Sequence, residues 1–358
     1  MKRSTIERAG IALTIVVIAT ITLAWRALPV GTAQLAASRA ALTADGSATS
    51  VALTQVSMRN VNFYVTPNAS LKIRHLRGAM RPLNGNAVVF DDRKSFVIHM
   101  DYAEIGLAGP DLSNLLNTVV FAYRGAPLRR LRVHMAGNQL VQTGVLHKVI
   151  DMPFEITSEP SVTTEGLIRL HPVRTRILGV DGNGLMRAFG LSLEKILDLK
   201  KAKGVSVKAN DLFLDPTALL PPPAIEGRLA SIRIEGNELV QVFGTPAASI
   251  PLARPDTVAR AFMYYRGGTL RFGKLLMTDA EMQIVGLDKN EFFGFDLDRY
   301  KQQLVAGYSR TLPSFGLEVY MASAETLSRR AAAAAADDKT LEARRVTLSK
   351  ELGYNQGR

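Results

Sequence analysis

The sequence predicts an α+β fold: a long antiparallel sheet built from hairpins and closed by one or two helices. A membrane-spanning helix precedes it, and a small α+β extension and a C-terminal helix follow. Three observations carry this prediction. Apolar and polar residues alternate through the middle of the chain, and Gly-Asn pairs sit between the alternating runs. Near the N-terminus, seventeen residues from Ala9 to Trp25 carry no charge. Successive side chains of a strand point to opposite faces, so alternation marks half-buried strands.

The uncharged run follows Lys2, Arg3 and Arg8 and is closed by Arg26. As a helix it spans roughly 26 Å at ~1.5 Å per residue, slightly short of a ~30 Å hydrocarbon core. Ala27, Leu28, Pro29 and Val30 lengthen the apolar stretch while Arg26 snorkels to the headgroups. The basic residues in front keep the N-terminus inside and send the rest outward. The run is longer than the ~7–15-residue core of a signal peptide, which favours an uncleaved anchor over cleavage after Gly31-Thr32-Ala33. Both readings export residues 34–358, on the periplasmic or extracytoplasmic side of an inner membrane. Residues 1–30 are therefore the anchor or signal segment. Residues 31–50, rich in Ala, Ser, Thr and Gly, are a tether.

Residues 51–244 form the predicted sheet-rich domain. Val61, Phe63 and Val65 alternate with Asn62 and Tyr64. Phe96, Ile98, Met100 and Tyr102 alternate with Ser95, Val97, His99 and Asp101, and Leu131, Val133 and Met135 face away from Arg130, Arg132 and His134. A short repeat follows two of these runs: Gly137-Asn138-Gln139-Leu140-Val141-Gln142 recurs as Gly236-Asn237-Glu238-Leu239-Val240-Gln241. Glycine and asparagine tolerate positive φ, so each Gly-Asn marks a tight hairpin. Thr164-Glu165-Gly166 is a further turn. One hairpin used twice is too sparse for a solenoid.

Helices are few. Pro110–Val119 is one, with Leu112, Leu115, Leu116 and Val119 on one side. Gly184–Lys203 is the strongest, since Leu185, Phe189, Leu193 and Ile196 keep 3–4 spacing, widened by Met186 and Leu197. Its C-terminal Lys200, Lys201 and Lys203 suit the negative end of a helix dipole, and Gly204 stops it. Residues 245–257, with Pro246, Pro251 and Pro255, read as a linker. The extension 258–321 holds strand-like Thr269–Leu276, Glu281–Leu287 and Leu317–Met321 and a helix near Leu297–Gly307. The tail 322–358 is helical in composition, with too few apolar residues for a deep core face.

Composition excludes much chemistry. The 358 residues contain no cysteine, which removes disulfides, thiolate metal sites and cysteine nucleophiles together. A net charge of +12 beside an export signal suits anionic headgroups or simple solubility, and no nucleic acid is expected. Gly268 to Gly273-Lys274 has phosphate-loop spacing, but Leu275 stands where magnesium needs Ser or Thr. Asp181-Gly182-Asn183 starts like a calcium loop, yet Leu185 occupies the third ligand position. His75, His99, His134, His147 and His171 never reach metal spacing. Asp91 and Asp92 are better read as a turn than as a carboxylate pair. No constellation supports catalysis, so neither an enzyme nor a cofactor or metal is expected.

Leu128-Arg-Arg-Leu-Arg-Val-His-Met135, Gly137–Gly144, Met152–Ile156, Val162–Leu170, the 184–203 helix and Pro223–Ile234 together carry a resemblance. Pro127–Gly244 resembles the LmeA-like bacterial phospholipid-binding proteins, relatives of the tubular lipid-binding superfamily. The resemblance implies a bent sheet wrapped around helices, an apolar channel for phospholipid tails, and non-enzymatic lipid binding or transfer in the cell envelope. It carries over no ligand residue. From the residues themselves, the expected tail contacts are Leu185, Met186, Phe189, Leu193, Ile196 and Leu197 on the helix, with Phe96, Ile98, Met100 and Tyr102 facing them. Arg129, Arg130 and Arg132 are the expected phosphate contacts. The alternative is an envelope scaffold with a filled core, whose C-terminal helix binds a protein partner.

Overall fold

The computed structural model describes residues 52–335, apart from 86, 148–149, 182–192, 197–198, 247–251 and 289. The N-terminal apolar run lies outside them. In chain order, β1 (Thr54–Thr66), β2 (Ala69–Pro82), β3 (Val88–Val89) and β4 (Phe96–Ala108) come first. Helix α1 (Gly109–Leu115) then runs into a π-helical turn at Leu116–Val120. Next are β5 (Leu128–Ala136), β6 (Gln139–His147), β7 (Asp151–Val162), β8 (Ile168–Ile177) and β9 (Val180–Asp181). After α2 (Leu193–Ile196) follow β10 (Val205–Lys208), β11 (Asp211–Leu214), β12 (Ala224–Glu226), β13 (Leu229–Glu235) and β14 (Glu238–Gly244). The last part holds β15 (Phe262–Arg266), β16 (Thr269–Phe272), β17 (Leu275–Thr278), β18 (Glu281–Gly286) and β19 (Phe293–Asp296). It closes with α3 (Tyr300–Val305), β20 (Tyr308–Thr311) and β21 (Leu317–Met321). Residues 324–335 are helical.

The α+β expectation is corrected: the described residues are mostly β-sheet, 54% strand against 13% helix. No sheet wraps a long helix among the described residues. The predicted helix 184–203 fails at its C-terminal end, because residues 199–204 are turns stepping into β10. Ala202 N donates to Leu199 O at 2.9 Å and Val205 N to Ala202 O at 3.4 Å, three-residue steps that no α-helix uses. Of that segment only Leu193–Ile196 is described as helix, and it is one turn long.

Eleven strands form the first sheet, in the order β13-β14-β4-β2-β1-β15-β18-β21-β20, with β12 on β4 and β19 on β1. The second sheet runs β10-β11-β8-β7-β6-β5, with β9 on β8. From 258–321, β15, β18, β21 and β20 extend the first sheet, β15 pairing antiparallel with β1, while β16 and β17 form a three-stranded sheet with β3. Asn60, at φ 52, marks where β1 changes partner, from β15 before it to β19 after it. Asparagine tolerates that left-handed conformation better than most residues. Thr269–Leu276 is not one strand, since Gly273 turns it into the β16–β17 hairpin. Both Gly-Asn pairs are two-residue hairpins, with Gly137 at φ 61 and Gly236 at φ 59 in the first central position. That is the position where type II′ turns take glycine.

One contiguous core lies between the sheets, from Val56 and Met58 through Leu112 and Leu116 to Leu140, Ile168 and Leu214. Phe90 anchors its far end, with ring centroids 5.2–5.8 Å from Phe272, Tyr300, Tyr265 and Phe295. Such tilted and edge-on contacts add to plain area burial.

The outer face of β2, β4, β13 and β14 carries an ion-pair network. Arg74 reaches Glu104 at 3.2 Å and Glu238 at 3.1 Å, Lys72 reaches Glu238 at 2.8 Å, and Arg233 reaches Glu104 at 2.6 Å. Arg74 and Arg233 both also pair with Glu235. Burial pushes the Glu104 carboxyl up, but the hydrogen bonds from Arg233 and Arg74 outweigh it and hold it low. Glu235 is held low by the same two arginines. Carboxylates depressed in the folded state stabilise it above their unfolded pKa of ~4.3, and that contribution vanishes as pH falls through the folded values. The melting temperature should therefore fall as pH drops below about 4.3, and Arg74→Met should make that fall shallower. A thermal scan across pH measures both slopes, and parallel slopes would refute the assignment.

Candidate functional site

Among the described residues, small apolar voids lie in series between the sheets, and four of them form one path. The first, about 30 Å³, is walled by Met58, Phe63, Ile73, Ile98 and Met100, under the Pro221–Pro223 segment. The second, about 30 Å³, lies among Leu107, Leu115, Val120, Leu239 and Phe243. The third, about 20 Å³, is enclosed by Phe121, Leu131, Val133, Leu140 and Leu170. The fourth, about 50 Å³, lies over the inner wall of the second sheet, beside Leu146, Phe154, Ile156 and Ile177. Neighbouring voids share walls: Leu71 and Ile105, then Leu112 and Leu214, then Leu128 and Leu212. An apolar path thus crosses from the first sheet to the second, divided by leucine and isoleucine partitions.

Local pairing explains the fourth void. Gln142, Ile156 and Thr175 stand side by side on β6, β7 and β8, and Gly144, Phe154 and Ile177 form the next row. Phe154, Ile156, Pro172 and Ile177 are only half-buried, so this stretch is an apolar trough instead of sealed core. Leu193 closes one side. Its N–H donates to Asn210 Oδ1 at 3.0 Å, and Ala209 N donates to Glu194 Oε2 at 2.8 Å, which pins α2 to the β10–β11 hairpin.

The expected tail contacts divide. Ile98 and Met100 line the first void, and Phe96 is buried at the end of β4 without reaching any of the four. Tyr102 faces the other way. The β2–β4 register slips at Arg77/Gly78, leaving Asp101 without an opposite residue. This bulge inverts the alternation, so Ala103, Ile105 and Leu107 point inward while Tyr102 Oη lies 3.5 Å from Glu104 on the outer face. Leu193 lines the fourth void. Leu185, Met186, Phe189 and Leu197 lie outside the described residues, and of Ile196 only the helical backbone is described.

Arg129, Arg130 and Arg132 are exposed on β5. Arg132 alternates with Leu131 and Val133 and so leaves the apolar side, while Arg130 takes φ 52 at a register shift. Arg130 and Arg132 border a shallow surface cleft of about 600 Å³ between α1 and β5. Two polar side chains of that cleft, Asn117 and Ser113, are already engaged on the edge of β5. Asn117 accepts from Leu131 N at 2.9 Å and donates to Leu131 O at 2.7 Å, and Ser113 Oγ accepts from Val133 N at 2.8 Å. They satisfy a strand edge that would otherwise invite another chain.

The remaining motifs resolve into structure. The phosphate-loop spacing falls on β16, with its second glycine in a hairpin. Asp91 and Asp92 sit in a turn: Asp91 pairs with Lys301 at 2.8 Å and accepts from Tyr300, and Asp92 accepts from Lys94 N at 2.9 Å. Among the described residues no cluster of His, Asp and Glu has metal-binding geometry. Among them, too, no helix is long and apolar enough to cross a membrane. Sequence reasoning missed Thr175, Gln142 and Ser158, polar residues on the trough wall. Comparison with protein-family models, curated proteins and solved structures finds no match to this chain.

Proposed function

We propose that this protein binds acyl-chain lipids, phospholipids among them, in the trough of the second sheet, without catalysis. The observation that carries the reading is the half-buried apolar wall of Phe154, Ile156, Pro172 and Ile177, continuous with the apolar path inward. Solvent-facing apolar area of that kind in an otherwise well-packed domain favours an apolar occupant. Arg129 and Arg130, exposed beside the trough residue Leu128, supply positive charge for a phosphate. In this reading the Ala9–Trp25 run tethers the protein to the inner membrane and the lipid-binding part works on the envelope side. No nucleic acid has a part in it.

The void volumes set a condition. Ligand pockets typically hold ~300–1,000 Å³, far more than the 20–50 Å³ found in each void. An acyl chain must therefore lie first along the open trough and enter further only by displacing Leu128 and Leu212. The same small volumes favour a second reading, the scaffold with a filled core. Its partner would be met by the C-terminal helix beyond its docked start, where Ala322, Ser323 and Ala324 are buried and Ser323 N donates to Asp288 at 2.6 Å.

The full chain, purified in detergent and exchanged into lipid-free buffer, should retain phospholipid or fatty acid detectable by mass spectrometry. It should also take up a fluorescent-tailed phospholipid to saturation. A lipid-free protein that refuses the probe, together with a protein complex lost on deleting 331–358, would make the scaffold the correct reading.

A further inference from the structure

Thr175 is 1% exposed on the inner wall of the second sheet, and its Oγ1 has no hydrogen-bond partner. A buried hydroxyl left unpaired has lost its hydrogen bonds to water and gained none in return, a net cost to the fold. Thr54 Oγ1, Thr66 Oγ1 and Glu325 Oε2 are also buried and unpartnered, but none lines any of the four voids. Thr175 lines the fourth. Beside it in the same cross-strand row, one residue away across Ile156, stands Gln142, which borders the third and fourth voids. Ser158, 1% exposed, adds a third polar side chain to the same wall. A trough evolved only to hold hydrocarbon has no use for such groups, since Val, Leu and Ala would fill the same sites at lower cost.

We infer that Thr175 and Gln142 form a polar reading point within the trough, which donates hydrogen bonds to the carbonyl oxygen of an acyl ester on the bound lipid. This rests on the lipid-binding reading and adds to it a preference: ester-linked chains over chains that lack the carbonyl. The threonine hydroxyl and the glutamine amide both donate, and a carbonyl with two lone pairs can accept from both. A ligand without that oxygen leaves the buried Thr175 hydroxyl unpaired and sets hydrocarbon against the half-buried Gln142 amide, which is how polar sites reject analogues.

The test compares a fluorescent-tailed diester phospholipid with its diether analogue, which has the same headgroup and tails but no carbonyls. The full-length protein should bind the diester about tenfold more tightly. Thr175→Val should reduce that preference to about twofold or less while raising the melting temperature, because the unpaired hydroxyl is gone. Thr175→Ser should keep the preference. Equal binding of both probes by the unaltered protein overturns the reading point and leaves lipid binding intact, as does a Thr175→Val protein that still discriminates. Refusal of both probes defeats lipid binding itself, and the reading point with it.

Discussion

Gly78→Ala should lower the melting temperature by roughly 6–12 °C, from a loss of about 3 kcal/mol or more. Gly78 lies on β2 opposite Met100, and a Cβ there would sit 1.8 Å from the His99 carbonyl oxygen and 3.1 Å from Met100 Cα. Both are backbone atoms of the neighbouring strand, so no side-chain rotation relieves the clash. Relief requires β2 and β4 to separate near the centre of the eleven-stranded sheet, where β4 also pairs with β14 and with β12. The same spot holds the bulge at Asp101. Losing it would return Tyr102 to the inner face and send Ile105 and Leu107 outward, since a shift of one residue exchanges the two faces. Thermal unfolding followed by circular dichroism measures the effect. A drop below ~2 °C would mean that the close approach at Gly78 is absent in solution.

That bulge also explains where sequence reasoning stopped. Alternation located β1, β4 and β5 because within each the inward set keeps one parity for several residues, as with Val61, Phe63 and Val65. It assigned Tyr102 to the wrong face because an extra residue is invisible to a period of two. The same failure hid Thr175. Along β8 the inward residues are Leu170 and Pro172, then Thr175 and Ile177, because Val173 is the extra residue where the β7–β8 register shifts. The Gly-Asn turns were legible because their chemistry is local: two residues with a required φ decide the outcome. The sheet-forming role of 258–321 was not. Whether β15 finds β1 depends on a strand edge some two hundred residues earlier, and no local pattern encodes that pairing. The C-terminal end of the expected helix 184–203 fails for a related reason. Its apolar spacing suits a helix, but β10 needs the chain extended from Val205, and the turns at 199–204 deliver it there.

Ile156→Trp should abolish most lipid uptake while leaving the fold in place. Ile156 is the middle residue of the Gln142–Ile156–Thr175 row and is half-buried, with its side chain bordering the fourth void. An indole there occupies the trough itself. Overpacking a sealed core costs ~1–3 kcal/mol, and a partly open site relieves some of that, so the melting temperature should move by only a few degrees. Binding has no such relief. If the ring keeps three or four methylenes of the ligand in water, at ~0.8 kcal/mol each, the loss approaches 3 kcal/mol, about a hundredfold in affinity. Arg174→Trp supplies the comparison, since Arg174 is exposed, next to Thr175 on β8 but facing away from the trough. It adds the same ring to the outer face of the same sheet and should leave uptake within twofold. Titration of both variants with a fluorescent-tailed phospholipid separates the cases. If uptake by Ile156→Trp matches that of the unaltered protein, the ligand does not lie on this wall, whatever else the protein binds.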